Sequence, residues 1–225
     1  MPIPKDVLGQ MELLIFDLDG TLVDSELDLA NSVNATLEKI GRKPLSVERI
    51  ASYVGQGVTV LISRALGEGT PPELIERATE IFLAYYREHM LDNTVPYPGV
   101  REALDELDGR KMAVLTNKPV RFSRDLLAGL GLAKHFFRIY GGNSFESKKP
   151  DPVGVYRLME EARSPASQTM MIGDSVSDVL AGRNAGVWTC GVNYGFGAPT
   201  LEEAPPDIRI DDLRELPQLL NGKPQ

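Results

Sequence analysis

The chain has 225 residues, 42% of them hydrophobic, and its 24 basic side chains against 32 acidic ones leave a formal net charge of -8. That length suits one large or two small domains with a sizeable core, and an acidic chain with no sustained basic run argues against a nucleic-acid or acidic-membrane binder. Cys190, the single cysteine, excludes an internal disulfide and a cysteine metal cluster, and its place in an apolar run marks it as a small core residue. The opening Met1-Pro2-Ile3-Pro4-Lys5-Asp6 lacks the basic-then-apolar order of a signal peptide. No apolar run approaches the length of a membrane span, so the expected location is cytoplasmic.

The first strong pattern is Leu13-Leu14-Ile15-Phe16 followed by Asp17-Leu18-Asp19-Gly20-Thr21. Four consecutive apolar residues suit a strand buried on both faces, which cannot carry unpaired carboxylates through its middle. Asp17 and Asp19 therefore belong at its carboxyl end, on one side of the chain, with Gly20 permitting a sharp turn. Leu27, Ala30, Val33, Leu37 and Ile40 then recur at helical spacing and stop at Gly41. Residues 50–66 and 73–90 form two further helical blocks, the first broken by Gly55-Gln56-Gly57 and the second entered through Thr70-Pro71-Pro72.

Beyond Pro96, Pro98 and Gly99 the pattern changes. A helix over 100–107 precedes an apolar run at 112–117, and helices over 121–130, 152–161 and 177–184 alternate with strands at 136–140, 169–172 and 187–192. A short edge strand at 207–210 and a terminal helix near 213–220 complete the reading. Such alternation predicts an α/β fold, a parallel sheet with helices on both faces, in which ligands bind beyond the carboxyl ends of the strands. Residues 24–94 are then an all-helical insertion, leaving 1–23 and 95–225 as the core domain.

Four strand ends meet at that edge: Asp17 to Thr21, Thr116-Asn117-Lys118, Lys148-Lys149-Pro150, and Gly173-Asp174-Ser175 with Asp178. Asp174 and Asp178 share a face at the opening of a helix, although a first-turn acid also complements the helix dipole and Asp174 alone could be a cap. Four carboxylates at one edge repel one another unless a cation neutralises them, and oxygen ligands favour magnesium. Thr116, Asn117 and Lys149 contribute hydroxyl, amide and ammonium donors beside it, which phosphoryl transfer requires. Pro150 holds Lys149 extended and aims it inward, so Lys148 points elsewhere; the role of Lys118 is open. His89 and His135 read as structural or surface residues, and Tyr85-Tyr86 and Phe136-Phe137 as core and helix-face packing.

In that order the four motifs resemble those of the haloacid dehalogenase (HAD) superfamily of phosphohydrolases, over nearly the whole chain. The resemblance implies a Rossmann-like core with a helical cap inserted after the first strand. Tyr53-Val54-Gly55-Gln56-Gly57, Pro98-Gly99-Val100, Val114 to Pro119 and Lys148 to Pro152 are similar to stretches of bacterial phosphoglycolate phosphatases. Ser52-Tyr53 departs from the arginine-tryptophan pairing of some members.

Carried over to these positions, Asp17 would be the nucleophile that forms an aspartyl-phosphate, and Asp19 the acid and base. Lys149 would offset the charge of Asp17 and, with Thr116, the Asn117 backbone and Gly20, bind the phosphoryl group. The Asp17 carboxylate, the Asp19 carbonyl and Asp174 would hold Mg2+, with Asp178 supporting them. Tyr53, Gln56 and Arg64 are candidates for substrate contacts from the cap. The implied activity is hydrolysis of a small phosphomonoester, 2-phosphoglycolate first. Another small substrate (sugar phosphate, nucleotide or pyrophosphate), a β-phosphoglucomutase-like isomerase and an inactive binding scaffold are the alternatives. Whether the chain acts as a monomer or homodimer is not written in these motifs.

Overall fold

Leu13–Phe16 form a strand, β1, in which every side chain is buried. Removing each from water stabilises the fold by about 2 kcal/mol before the entropy of ordering the chain is counted. A computed structural model describes residues 3–222; Met1, Pro2 and residues 223–225 lie outside it. A short helix, α1 (Lys5–Leu8), precedes β1. The chain continues through β2 (Val23–Asp24), α2 (Glu26–Lys39), α3 (Val47–Ala51), α4 (Val58–Leu66), α5 (Pro72–His89) and β3 (Val95–Pro96). Strands and helices then alternate: α6 (Val100–Glu106), β4 (Lys111–Leu115), α7 (Val120–Gly129), β5 (Arg138–Tyr140), α8 (Val153–Ala162), β6 (Thr169–Gly173), α9 (Val176–Ala185) and β7 (Trp188–Val192). The last elements are β8 (Ile208–Ile210) and α10 (Glu215–Leu220).

Six strands make one parallel sheet in the order β5-β4-β1-β6-β7-β8, so the fold is the expected α/β class with a Rossmann-like sheet. β1 stands where the order reverses, with β4 on one side and β6 on the other, and the crevice of such a sheet opens at this switch point. The pleat sorts the apolar side chains between two layers. Leu14, Phe16, Val114 and Ile172 face a core shared with α6, α7 and α10. Leu13, Ile15, Ala113 and Met171 face a smaller one built on α8 and α9.

Between β2 and β3 the described residues are helices and loops. α2 packs on α5 through Ala30, Val33 and Leu37 against Ala78, Phe82 and Tyr86. The two connections to the sheet run side by side, because β2 pairs antiparallel with β3. Asp28 fastens this base. Its buried carboxylate accepts bonds from the Asn93 and Thr94 backbone N–H groups, the Asn93 amide and the Thr94 hydroxyl, all between 2.8 and 3.1 Å. Burial raises its pKa, and these donors outweigh burial to hold it below the usual range.

The differences from the sequence-based elements are local. β2, β3 and α1 have too few residues to show a period. Leu27, expected in the buried stripe of α2, is exposed. β5 begins at Arg138 rather than 136, because Ala133–His135 form a 3-10 turn and Phe136 turns into the core, edge-on to Phe16 at 6.1 Å. Asp174 lies before α9 instead of on it, and the helix is capped by Ser175 with Asp178.

Candidate active site

The chain leaves β1 at Asp17, whose N–H still bonds Ile172 O of β6 at 2.8 Å, so this residue is held by the sheet itself. Its Oδ1 faces Lys149 Nζ at 2.8 Å, an ion contact outside hydrogen-bond angles, and this buried oxygen has no hydrogen-bond partner among the described residues. Lys149, buried after the turn that follows β5, also reaches Asp178 Oδ1 at 2.6 Å. The other Asp178 oxygen accepts the Ser175 N–H at 3.0 Å and its hydroxyl at 2.6 Å. Asp174, at the end of β6, accepts the Gly197 N–H at 2.8 Å and has no ion pair among the described residues.

Asp17, Asp174 and Asp178 can each offer an oxygen within 4.8 Å of the others. One ammonium, that of Lys149, sits among these three buried carboxylates. The electrostatic consequence is direct. Burial, then repulsion from Asp178 working against the relief from Lys149, pushes the Asp17 carboxyl up to about 6. Burial, with repulsion from Asp178 and Asp17, raises Asp174 well above the carboxylate range. Lys149 is raised too: burial opposes its charge, and Asp17 and Asp178 outweigh it.

The expected crowd of four acids is thus a cluster of three. The Asp19 carboxylate stands outside it, with Lys118 Nζ 3.0 Å from both oxygens and the Ser25 hydroxyl donating to Oδ1 at 2.6 Å. Lys118 is buried, and its charge is favoured because Asp19 and Tyr86 outweigh burial. Gly20, directly after Asp19, has φ +85°, and a Cβ there would overlap the Asp174 carboxylate. Only glycine lets the β1 loop and the β6 loop approach this closely.

Residues from the helical block come next to these strand ends. Asn117 Nδ2 donates to Gly55 O at 2.8 Å and to Lys149 O at 3.0 Å, and Lys148 Nζ donates to Gln56 O at 2.7 Å. Lys148 therefore points away from the acid cluster and holds the Gly55-Gln56-Gly57 turn. Thr116 Oγ1 accepts the Lys118 N–H at 3.2 Å, which leaves its proton free to donate. Asp17, Asp19, Thr116, Asn117 and Lys118 border a cavity of about 50 Å³ closed on the other side by Val54, Val58, Leu61, Phe82 and Tyr86.

Tyr53, Gln56 and Arg64 are not among the residues lining it. Arg64 bonds Gln56 Oε1 at 3.0 Å and Tyr53 O at 3.4 Å, and Arg49 takes the Tyr53 hydroxyl at 2.8 Å. They pair with one another on an exposed face, and the loop turns Val54, Gly55, Gly57 and Val58 toward the cavity instead. His89 and His135 pair outside the site, with Asp92 at 2.8 Å and Asp105 at 3.7 Å. Sequence reasoning missed Ser25, Tyr86 and the Lys118–Asp19 pair. Lys118 had one usable signal, its position directly after Thr116-Asn117 at a strand end.

Residues 14–192 match the family model of the haloacid dehalogenase-like hydrolases, and the chain belongs to that family. It is 45% identical over 219 residues to the phosphoglycolate phosphatase of Pseudomonas fluorescens, covering 92% of this chain and 79% of that one. It is 39% identical over 218 residues to the phosphoglycolate phosphatase of Vibrio parahaemolyticus, covering 92% and 94%. Among solved structures it is similar to a predicted phosphoglycolate phosphatase from Haemophilus somnus, with a TM-score of 0.86, 31% identity, and coverage of 92% of this chain and 96% of that one. Among the described residues no helix is long and apolar enough to cross a membrane.

Proposed function

We propose that this protein is a magnesium-dependent phosphomonoester hydrolase acting on a small phosphorylated metabolite, 2-phosphoglycolate, through an aspartyl-phosphate on Asp17. The observation that carries this reading is the separation of two aspartates two residues apart into different settings. Asp17 lies in the acid cluster against Lys149, and Asp19 lies apart against Lys118 and Ser25. One strand end thus offers a nucleophile and a distinct proton carrier, the pair that a two-step phosphoryl transfer needs. The names of the relatives support the substrate.

The residues present fit a divalent cation. Of three buried carboxylates, two share one ammonium and the third, Asp174, has no ion pair, and Asp17 Oδ1 has no hydrogen-bond partner, among the described residues. Such a set is under-compensated, and an all-oxygen donor set suits magnesium. Asp17, Asp174 and the Asp19 carbonyl would hold it. Asp178, with both oxygens engaged by Lys149 and Ser175, would orient the lysine rather than bind directly. When bound, the ion supplies positive charge against the cluster and the phosphoryl oxygens.

In the first step Asp17 attacks phosphorus while Asp19 gives a proton to the leaving alkoxide oxygen. In the second step Asp19 takes a proton from the water that cleaves the aspartyl-phosphate. Lys149, the Thr116 hydroxyl and the Asn117 N–H bind the phosphoryl oxygens, and their fixed positions lower the barrier by charge stabilisation; Gly20, expected among them, gives its N–H to Val23 O at 3.0 Å and serves the turn instead. Residues 24–94 act as a cap on a core of 1–23 and 95–225. The bonds from Asn117 and Lys148 to its Gly55-Gln56-Gly57 turn support a lid that keeps water out and admits only a small substrate.

The test is magnesium-dependent phosphate release across 2-phosphoglycolate, sugar phosphates, nucleotides and pyrophosphate. The expected result is the highest kcat/KM with 2-phosphoglycolate and loss of turnover with chelator. Release from none of them overturns the reading, and phosphoryl return to a sugar in the presence of a bisphosphate activator replaces it with a mutase.

A further inference from the structure

Lys118 and Tyr86 are not used by the steps above, although both are buried against the reacting groups. Lys118 Nζ engages both Asp19 oxygens at 3.0 Å, and Ser25 takes Oδ1 as well. Three of the roughly four lone-pair positions of this carboxylate are thus taken, two of them by one buried ammonium, so the pair must loosen for Asp19 to turn to a leaving group. Tyr86 lies beside it, with its ring centroid 4.6 Å from the same Nζ. Its hydroxyl is buried with no hydrogen-bond partner among the described residues, an arrangement that costs stability unless a ligand satisfies it.

Both groups border the cavity next to Asp17 and Thr116. Its volume of about 50 Å³ leaves room for about four water-sized groups, which suits a two-carbon body. The facing walls, Val54, Val58, Leu61, Phe82 and Phe122, are apolar and offer nothing to sugar hydroxyls. Among the described residues lining the cavity, which include Asp17, Asp19, Thr116 and Asn117, Lys118 carries the one ammonium; with the unpartnered Tyr86 hydroxyl it offers donors to a small anion once it turns from Asp19.

We infer that Lys118 and Tyr86 form the subsite for a carboxylate on the substrate, one or two carbons from the phosphoester oxygen. The class of substrate is therefore the small phosphorylated carboxylic acids. Arrival of that carboxylate draws Lys118 from Asp19 and frees the Asp19 carboxyl group to turn to the leaving oxygen, so recognition and the positioning of Asp19 are joined at one lysine. This rests on the phosphatase reading above.

The experiment compares kcat/KM for 2-phosphoglycolate and for ethyl phosphate, which puts a methyl group where the carboxylate stands, in wild type, Lys118→Met and Tyr86→Phe. The ratio of the two reads carboxylate recognition together with the release of Asp19, because ethyl phosphate has no carboxylate to draw Lys118 away. Wild type is expected to favour 2-phosphoglycolate; Lys118→Met is expected to lower the ratio about 100-fold and Tyr86→Phe about 10-fold, the latter mainly through KM. Tyr86→Phe is nearly isosteric, so it decides the matter even if Lys118→Met does not fold. No wild-type preference, or a ratio unchanged in Tyr86→Phe and in folded Lys118→Met, overturns the subsite and leaves the phosphatase intact. Wild-type inactivity on both substrates and on the whole ester panel overturns the phosphatase and the subsite with it.

Discussion

Lys149 Nζ lies 2.8 Å from Asp17 Oδ1, and the same ammonium is shared with Asp178 at 2.6 Å. Two buried carboxylates thus lean on one cation while a third, Asp174, has none among the described residues. A buried charge without full compensation destabilises the fold, so this corner is organised for a ligand at the cost of stability.

Asp17→Asn keeps the shape of the side chain and removes one of the repelling charges. Turnover is expected to fall by at least about 10⁴-fold, the scale of losing a nucleophile. The melting temperature of the metal-free variant is expected to equal or exceed that of wild type at pH 7. Phosphate release and thermal unfolding monitored by circular dichroism check the two halves separately. Retained activity removes Asp17 as nucleophile.

Asp19→Asn is expected to slow both half-reactions by about 10²- to 10⁴-fold, the usual worth of acid-base catalysis. Magnesium is expected to stabilise this variant as it does wild type, because the Asp19 side chain stands outside the acid cluster. Rapid-quench kinetics read the first effect and a magnesium titration of the melting temperature reads the second.

Asp17 and Asp174 make stability depend on pH and metal together. Their folded pKa values lie above the unfolded value of 3.8, up to about 6 for Asp17, so the folded chain holds these protons more tightly. Their contribution is fully present below the unfolded pKa and is lost as pH rises through the folded values. The melting temperature in chelator is therefore expected to lose the Asp17 share between about pH 4 and pH 6, with the Asp174 share lost as pH rises through its own raised value. Saturating magnesium is expected to raise it at pH 7 by about 5–10 °C, a gain of about 2.7 kcal/mol at a hundred times Kd. At pH 5, where protons compete for the same oxygens, the gain is expected to be smaller. Differential scanning fluorimetry with and without chelator measures both, and an equal gain at both pH values contradicts the assignment.

Gly20→Ala places a Cβ against the Asp174 carboxylate at φ +85°. The left-handed backbone alone costs about 1–2 kcal/mol. Displacement of Asp174 is expected to reduce the magnesium-induced thermal gain and to lower kcat/KM by about 100-fold or more, since misplacing a reacting geometry by an ångström has effects of that size. Enzyme assays across a magnesium series check it.

Much of the fold was legible because its strands are short continuous apolar runs, whose burial on both faces fixes both their type and the layers above and below. Asp17, Thr116 and Asp174 were legible for the same reason, since polar residues following a buried strand must emerge at its end, whereas Lys149 was legible from the proline after it. Tyr86 was not. At helical spacing with Phe82 it reads as packing, and its ring does pack, at 5.4 Å from that of Phe82. Its unpartnered hydroxyl follows from what lies opposite, on a loop 31 residues further along the chain by the positions of Tyr86 and Asn117. Asp28 carries no mark in the sequence beyond its place in the first turn of α2, and its role as the anchor for Asn93 and Thr94 comes from residues 65 and 66 positions away.

By itself the sequence determined the parallel sheet and the residue types gathered at one edge, because period and burial are local properties of the chain. Only the tertiary structure decided the partners. It set Asp19 against Lys118 across 99 residues, placed Lys149 between Asp17 and Asp178, and turned Lys148 to the Gly55-Gln56-Gly57 loop. The direction in which a long side chain discharges its ion pair depends on which loop folds over it, and the spacing of residues along one segment carries no record of that.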